Sequence, residues 1–400
     1  MGSRLATRAR IIVISLSALA VISAGLVTAF SLRSERPLPV HHAHLSHRAT
    51  HVSLVLRLRS ISPAVGAKNV PFTPTIELRF SQPLGSHSPL PVLRPAVPGS
   101  WARINPTTLA FRANGDLFPL ERVSISIPGG PYGLRAVSGA ELPASLATTF
   151  TVADAPVLRL QQLLAELGYL PVAFDLVTAP ASGERIATES APRLRPGRAT
   201  LAALDAEPNN PSQIALQPEA GSFAWRYPNI PSQLTALWTP GRWNVVTQGA
   251  VMAFEADHGL GIDGVAGPRV WRTLLEAVAA RQSTTRPYDY LIVTESLPQT
   301  LYVWSGGHVV YQSLTNTGIS AAPTAIGTWP VYLRFTSTTM SGTNPDGSYY
   351  SDPGVPWVAY FNGGDAVHGF IRASYGFPQS LGCVELPPAN AETVYNYDPY

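Results

Sequence analysis

The chain has 400 residues, 45% of them hydrophobic and 13% charged, a balance that can bury several cores and does not describe a disordered polymer. Its formal net charge is only +3, and its cations are scattered arginines with one lysine, Lys68, so no basic stripe points to a nucleic-acid partner. One cysteine, Cys383, cannot form an internal disulfide.

Residues 1–30 place Arg4, Arg8 and Arg10 ahead of IIVISLSALAVISAGLVTAF, an uncharged run that at ~1.5 Å per residue spans a ~30 Å hydrocarbon core. Behind the run Glu35 offsets Arg33 and Arg36, so the charge asymmetry directs the N-terminus to the cytoplasm and the body outside. Two fates stand for this segment. An uncleaved single-pass anchor is favoured, because signal-peptide cores usually run ~7 to 15 residues; secretion after cleavage behind Ala29 is the alternative.

Residues 31–60 are a polar linker with five of the nine histidines. His44, His47 and His51 have the spacing of one helix face, but no acidic or thiol ligand accompanies them, and a solvated tether is the reading. From 61 to 153 the period is two: TIELRF puts Ile76, Leu78 and Phe80 on one face, and VSISI does the same with Val123, Ile125 and Ile127, which predicts a β-sandwich. The stretch ISPAVGAKNVPFTPTIELRFSQPL, with TLAF and TTFTV, resembles bacterial immunoglobulin-like domains, which implies a spacer.

At APVLRLQQLLAELGYL the period changes, with Leu160, Leu163, Leu164 and Leu167 on one stripe and Gly168 as a stop. TQGAVMAFEADHG and PRVWRTLLEAVAA, the latter with Trp271, Leu274, Leu275 and Val278 aligned, complete a three-helix bundle over 155–281. LQQLLAELGYL and AVMAFEADHGLGIDGVAGPRVWRTLL resemble the peptidoglycan-binding-like helical domain of cell-wall enzymes, interrupted by an insert at 172–243. Phe223, Trp225, Tyr227, Trp238 and Trp243 crowd the end of that insert; closing a local core is favoured over stacking on sugars.

Residues 288–400 return to strands, with Gly306 and Gly307 turning a hairpin between alternating runs. Here lie His368 and Cys383. A thiol becomes a nucleophile as a thiolate, which a neighbouring base must supply because a free pKa near ~8.5 leaves only a few per cent ionised. His368 is the natural base, and Leu381 and Gly382 suit a turn whose N–H groups face a developing oxyanion. A buried core histidine and a buried hydrophobic cysteine remain the bland alternatives.

TGISAAPTAIG at 317–327, VHG at 367–369 and SLGCVEL at 380–386 together resemble the L,D-transpeptidase (YkuD) catalytic domain over 288–397. The resemblance implies Cys383 as nucleophile, His368 as general base, the Gly369 carbonyl orienting the imidazole, Gly382 lending an oxyanion N–H and Ser380 supporting the motif. It implies a cell-envelope acyltransferase acting on peptidoglycan stem peptides and glycan, without metal or organic cofactor. The reaction would form 3→3 cross-links; carboxypeptidase activity of the same domain and a catalytically silent wall-binding protein are the alternatives. A papain-like enzyme is disfavoured because its cysteine normally precedes its histidine.

Two departures from the family stand out: Leu381 replaces a frequent histidine and Glu385 a usual arginine. Glu385 reverses a charge near the substrate, and Arg372 or Arg334 is expected to supply the missing cation by bidentate pairing. The family also usually adds a strand after its last helix, whereas this sequence stops at Tyr400. The expected architecture is multidomain and mainly β: membrane helix, sandwich, small helical bundle and mostly β catalytic domain.

Overall fold

The computed structural model describes residues 55–177 and 210–397. The expected membrane helix at 1–30 and most of the linker lie outside them, and no helix among the described residues is long and apolar enough to cross a membrane. The fold is mainly β, with several sheets and few helices.

Alternation builds the first body. Strands β1 (Leu58–Ser62), β2 (Ile76–Phe80), β5 (Thr108–Ala113) and β4 (Gly99–Asn105) form one antiparallel sheet; β3 (Val92–Arg94), β6 (Arg122–Ile127) and β7 (Leu146–Thr151) form a second. Ile76, Leu78 and Phe80 of one sheet meet Val123, Ile125 and Ile127 of the other in a common core, as the period-two pattern requires.

Helical stripes build the second. Helices α1 (Val157–Glu166), α3 (Val245–Asp257) and α4 (Pro268–Ala279) bury Leu160, Leu163 and Leu164, Val251 and Phe254, and Trp271, Leu274 and Leu275 against one another. Asn244 caps α3 by accepting the Thr247 N–H at 2.9 Å, and Pro268 opens α4 where a missing N–H costs nothing.

The described part of the insert folds back onto these helices. Its strands β8 (Val172–Leu176) and β9 (Gly221–Trp225) pair antiparallel, and the short α2 (Ser232–Leu237) follows. Phe223, Trp225, Tyr227 and Trp238 pack against the helical core, whereas Trp243 is 44% exposed. Arg159 of α1, 2% exposed, holds Glu219 in an ion pair at 2.9 Å, and Gln162 bonds the Glu219 backbone in both directions. The insert is thus bound to α1 by charge-assisted hydrogen bonds as well as by apolar contact.

The same arm carries the C-terminal β region. Strands β10 (Asp289–Thr294), β11 (Thr300–Ser305) and β12 (His308–Leu314) form an antiparallel sheet, and Trp304 of β11 inserts into the helical core at 1% exposure. Its indole N–H donates to the Asn229 carbonyl at 3.1 Å, and its ring meets Tyr227 edge-on at 5.7 Å. The Tyr227 hydroxyl in turn accepts the Tyr288 N–H.

A second sheet runs β13 (Leu333–Thr343), β14 (Tyr349–Asn362), β15 (Asp365–Gly369) and β16 (Val384–Leu386), antiparallel except for the parallel pair β15 and β16. Val367, Val384 and Leu386 face Leu301 and Val303 of β11 and Ala391 and Val394 of α5 (Pro388–Tyr397). One face of the β15–β16 pair is therefore committed to the core. The other packs against a second, smaller core of Val355, Val358 and Ala366.

Because Trp304 joins two bodies, Trp304→Ala is expected to cost about 3–5 kcal/mol through lost burial and a residual cavity. Denaturant unfolding followed by fluorescence measures it; a loss under about 1 kcal/mol would contradict the packing role.

Candidate active site

The parallel ladder pairs Val367 with Val384 and His368 with Glu385. Cys383, one residue before β16, consequently lies beside Ala366, and the pleat turns Ala366, His368, Phe370, Cys383 and Glu385 to the face opposite the Val367 core. Cys383 packs there with Ala366, Val355, Val358, Met340, Tyr360 and Phe370. Residues distant in the chain thus share one wall.

His368 is 3% exposed. Its Nδ1 lies 3.1 Å from the Gly369 carbonyl oxygen, a geometry that assigns the proton to Nδ1 and leaves Nε2 as an acceptor. Position 369 is tightly packed: a Cβ there would stand 3.0 Å from both Pro356 Cγ and Pro388 Cα. Burial pushes the imidazole below its usual pKa, with the Gly369 carbonyl and Glu385 opposing that shift.

The thiol of Cys383 donates to the Gly364 carbonyl at 3.8 Å. Burial pushes its pKa up to about 12; the Ala366 N–H opposes the rise, and the charges of Asp365 and Glu385 add to it. Both shifts favour the uncharged forms, thiol and imidazole.

A stitched segment holds the cysteine turn. Asn316 and Glu385 exchange backbone hydrogen bonds of 3.0 and 2.9 Å, and Thr317 O accepts the N–H groups of Gln379 and Ser380. Ile319 N–H donates to the Ser380 carbonyl at 2.9 Å, and the Gln299 side chain clamps Thr317 through its N–H and hydroxyl. The TG of the 317–327 motif therefore runs along the cysteine turn, with isolated bridges from Asn316 to Glu385 and from Gly318 to Ser380.

Inside the turn the Ser380 hydroxyl donates to the Cys383 carbonyl at 2.5 Å and accepts the Gly382 N–H at 3.3 Å. Gly382 has φ +118°, and a Cβ there would come within 2.3 Å of Asp365 Oδ1, so only glycine fits. The N–H expected to face an oxyanion is thus occupied by Ser380 in the resting turn.

The arginines also differ from expectation. Arg372 grips Glu385 itself, Nε to Oε2 at 2.8 Å and an Nη to Oε1 at 2.7 Å, with its guanidinium over Phe370. The Glu385 side chain is 5% exposed and that of Arg372 31%, so burial demanded a partner for the carboxylate and the guanidinium supplied it. Arg334 donates to the Tyr395 carbonyl, and its guanidinium lies 3.7 Å from that ring's centroid. Neither stands beside the thiol as an uncommitted cation.

Sequence reasoning missed Asp365, whose carboxylate accepts the Ala325 N–H at 3.3 Å and abuts Gly382, and the tyrosines Tyr350 and Tyr360, which feel the charge of a Cys383 thiolate. The GGD turn before VHG was a signal for the first; nothing local marked the tyrosines, which arrive from β14.

Residues 289–398 match the family model of YkuD, the L,D-transpeptidase catalytic domain, and this part of the chain is a domain of that kind. Among solved structures, an L,D-transpeptidase from Mycobacterium smegmatis is 12% identical, with 86% of this chain and 94% of that one covered and a TM-score of 0.22. L,D-transpeptidase 3 from Mycobacterium tuberculosis is 11% identical over 85% and 93%, with a TM-score of 0.25. The catalytic domain from the E. faecium L,D-transpeptidase is 22% identical over 28% of this chain and 92% of its own, with a TM-score of 0.25. These superpositions are loose, and the assignment of the domain rests on the family match alone. No curated protein matches the chain.

Breaking the Arg372–Glu385 pair leaves a buried charge unpaired. Glu385→Arg is expected to cost about 3 kcal/mol or more, and the exchange Glu385→Arg with Arg372→Glu to recover most of it. A double-mutant cycle of denaturant midpoints reads the coupling; additive losses would contradict the pair.

Proposed function

We propose that the C-terminal domain is an L,D-transpeptidase working through a Cys383 thioester. The single observation that carries the reading is the parallel β15–β16 register, which puts Cys383 and His368 on one face inside the segment that matches the family. The thiol attacks the carbonyl of the third residue of a stem tetrapeptide, and D-alanine leaves. Since both groups rest neutral, His368 acts as general base during attack, Nε2 taking the proton while Nδ1–H stays on Gly369. Rotation of Sγ away from Gly364 toward Nε2 precedes the step.

The negative oxygen that forms then needs donors. The turn supplies backbone N–H at Cys383, and Gly382 contributes once its bond to Ser380 is exchanged for one to substrate. An amine of a neighbouring stem resolves the thioester to a 3→3 cross-link; water in its place yields a shortened stem. Glu385 and Arg372 serve as a neutralised pair near His368, and Arg334 is assigned to holding α5.

Around this domain we read an envelope protein. The sandwich is an immunoglobulin-like spacer, the helical bundle a peptidoglycan-binding-like module that meets glycan, and residues 1–30 a membrane anchor with the body outside the cytoplasmic membrane. The module order supports each of these readings.

Intact-mass spectrometry with a carbapenem and with donor tetrapeptide tests the chemistry. A stoichiometric adduct and released D-alanine are expected, both lost in Cys383→Ala and the adduct slowed at least about 100-fold in His368→Ala. A folded chain that forms neither product is a silent wall-binding protein instead.

The acylation rate should also hold its value as pH falls to about 6.5 and decline below it, because a depressed imidazole pKa keeps His368 neutral to lower pH. An acid limb above pH 7 would contradict a buried neutral base.

A further inference from the structure

Asp365 is the charged group of the site that the transpeptidase reaction leaves without a task. It opens β15 directly opposite Gly382, between the 317–327 motif and the cysteine turn. Its Oδ2 accepts the Ala325 N–H at 3.3 Å, and Oδ1 fills the space where a side chain at 382 would stand. It touches both halves of the motif at once, and the carbonyl of Gly364, its neighbour in sequence, accepts the hydrogen bond of the Cys383 thiol.

Such a carboxylate is costly beside a nucleophile that must carry negative charge. The chain nonetheless places it within electrostatic reach of the sulfur, at a strand position where a neutral Asn or Ser would offer the same hydrogen bond. Its charge therefore has an effect that its hydrogen bond does not.

Building on the transpeptidase reading, we propose that Asp365 is a positioning residue that ties the 324–327 loop to the cysteine turn and whose negative charge holds Cys383 as a thiol until His368 takes the proton. A thiol resists the oxidation to which thiolates outside the cytoplasm are exposed, so the sole cysteine stays competent between turnovers. The other groups that bear on the sulfur are Tyr350 and Tyr360 from β14, His368 from β15 and Glu385 from β16, the last already paired with Arg372. Burial is the larger cause of the suppressed thiolate and the Asp365 charge a further one, so removing that charge should release part of the effect.

Asp365→Asn and Asp365→Ala separate the two roles in the full chain, whose single cysteine makes alkylation by iodoacetamide unambiguous. Asp365→Asn, which keeps an acceptor for Ala325, is expected to move the pH profile of alkylation to lower pH, about tenfold faster at pH 8 for a shift of one unit. Asp365→Ala should show the same faster alkylation but slower acylation by a carbapenem than Asp365→Asn, because the loop is no longer tied. A profile for Asp365→Asn that superimposes on the parent overturns the charge-setting role, and equal acylation of the two variants overturns the positioning role. Should Asp365→Ala not fold while Asp365→Asn does, the tie is supported and Asp365→Asn alone decides the charge. A parent chain that alkylates but is never acylated refutes the transpeptidase reading and leaves the alkylation test standing.

Discussion

The site depends on one parallel pairing. Strands β15 and β16 are joined by the long connection 370–383, and their register brings His368 beside Glu385 and Cys383 beside Ala366. A slip of one residue would turn Cys383 into the core formed by Val367, Val384 and α5. That core fixes the register: Val367, Val384 and Leu386 must all face it, and Ala366, His368 and Glu385 take the other face by alternation.

Around this pair the chain spends polar contacts on order. The 316–319 segment runs along β16 and the turn, Gln299 locks Thr317, and Ser380 bonds across the turn to the Cys383 carbonyl. Buried networks of this kind hold their geometry through the groups they satisfy, and in this turn Ser380 N–H and C=O, Gly382 N–H and Cys383 C=O each have a defined partner. In the proposed mechanism the cost falls on the oxyanion donors, since the Gly382 N–H would exchange its bond to Ser380 for one to substrate. The Arg372–Glu385 pair follows the same rule: a carboxylate carried into the wall beside His368 is stabilised by a bidentate guanidinium and adds little net charge to that face.

Patterns with short periods were legible in the sequence. Ile76, Leu78 and Phe80 alternate as they must on a half-buried strand, and Leu160, Leu163 and Leu164 follow the helical stripe. The His368 and Cys383 segments were legible through motif resemblance, and the structure sets them on neighbouring strands. Partners decided by tertiary pairing were not. Arg372 read as a free cation because nothing local says that Glu385, thirteen positions on, would be buried opposite it. The insert read as a digression in a helical bundle, yet Tyr227 and Asn229 within it receive Trp304 and couple the bundle to the C-terminal domain. Asp365 was passed over because its meaning lies in Gly382, which meets it only across the ladder.

The general-base mechanism proposed for this domain requires a resting pair in which both thiol and imidazole are neutral and His368 carries its proton on Nδ1. Nitrogen NMR of histidine-labelled protein, with His368 identified by its loss in His368→Ala, reads that state directly. A neutral Nδ1–H imidazole at pH 7, titrating below about 6.5, is the predicted result. An imidazolium at pH 7 that disappears in Cys383→Ala would mean a preformed thiolate pair and would contradict the general-base mechanism.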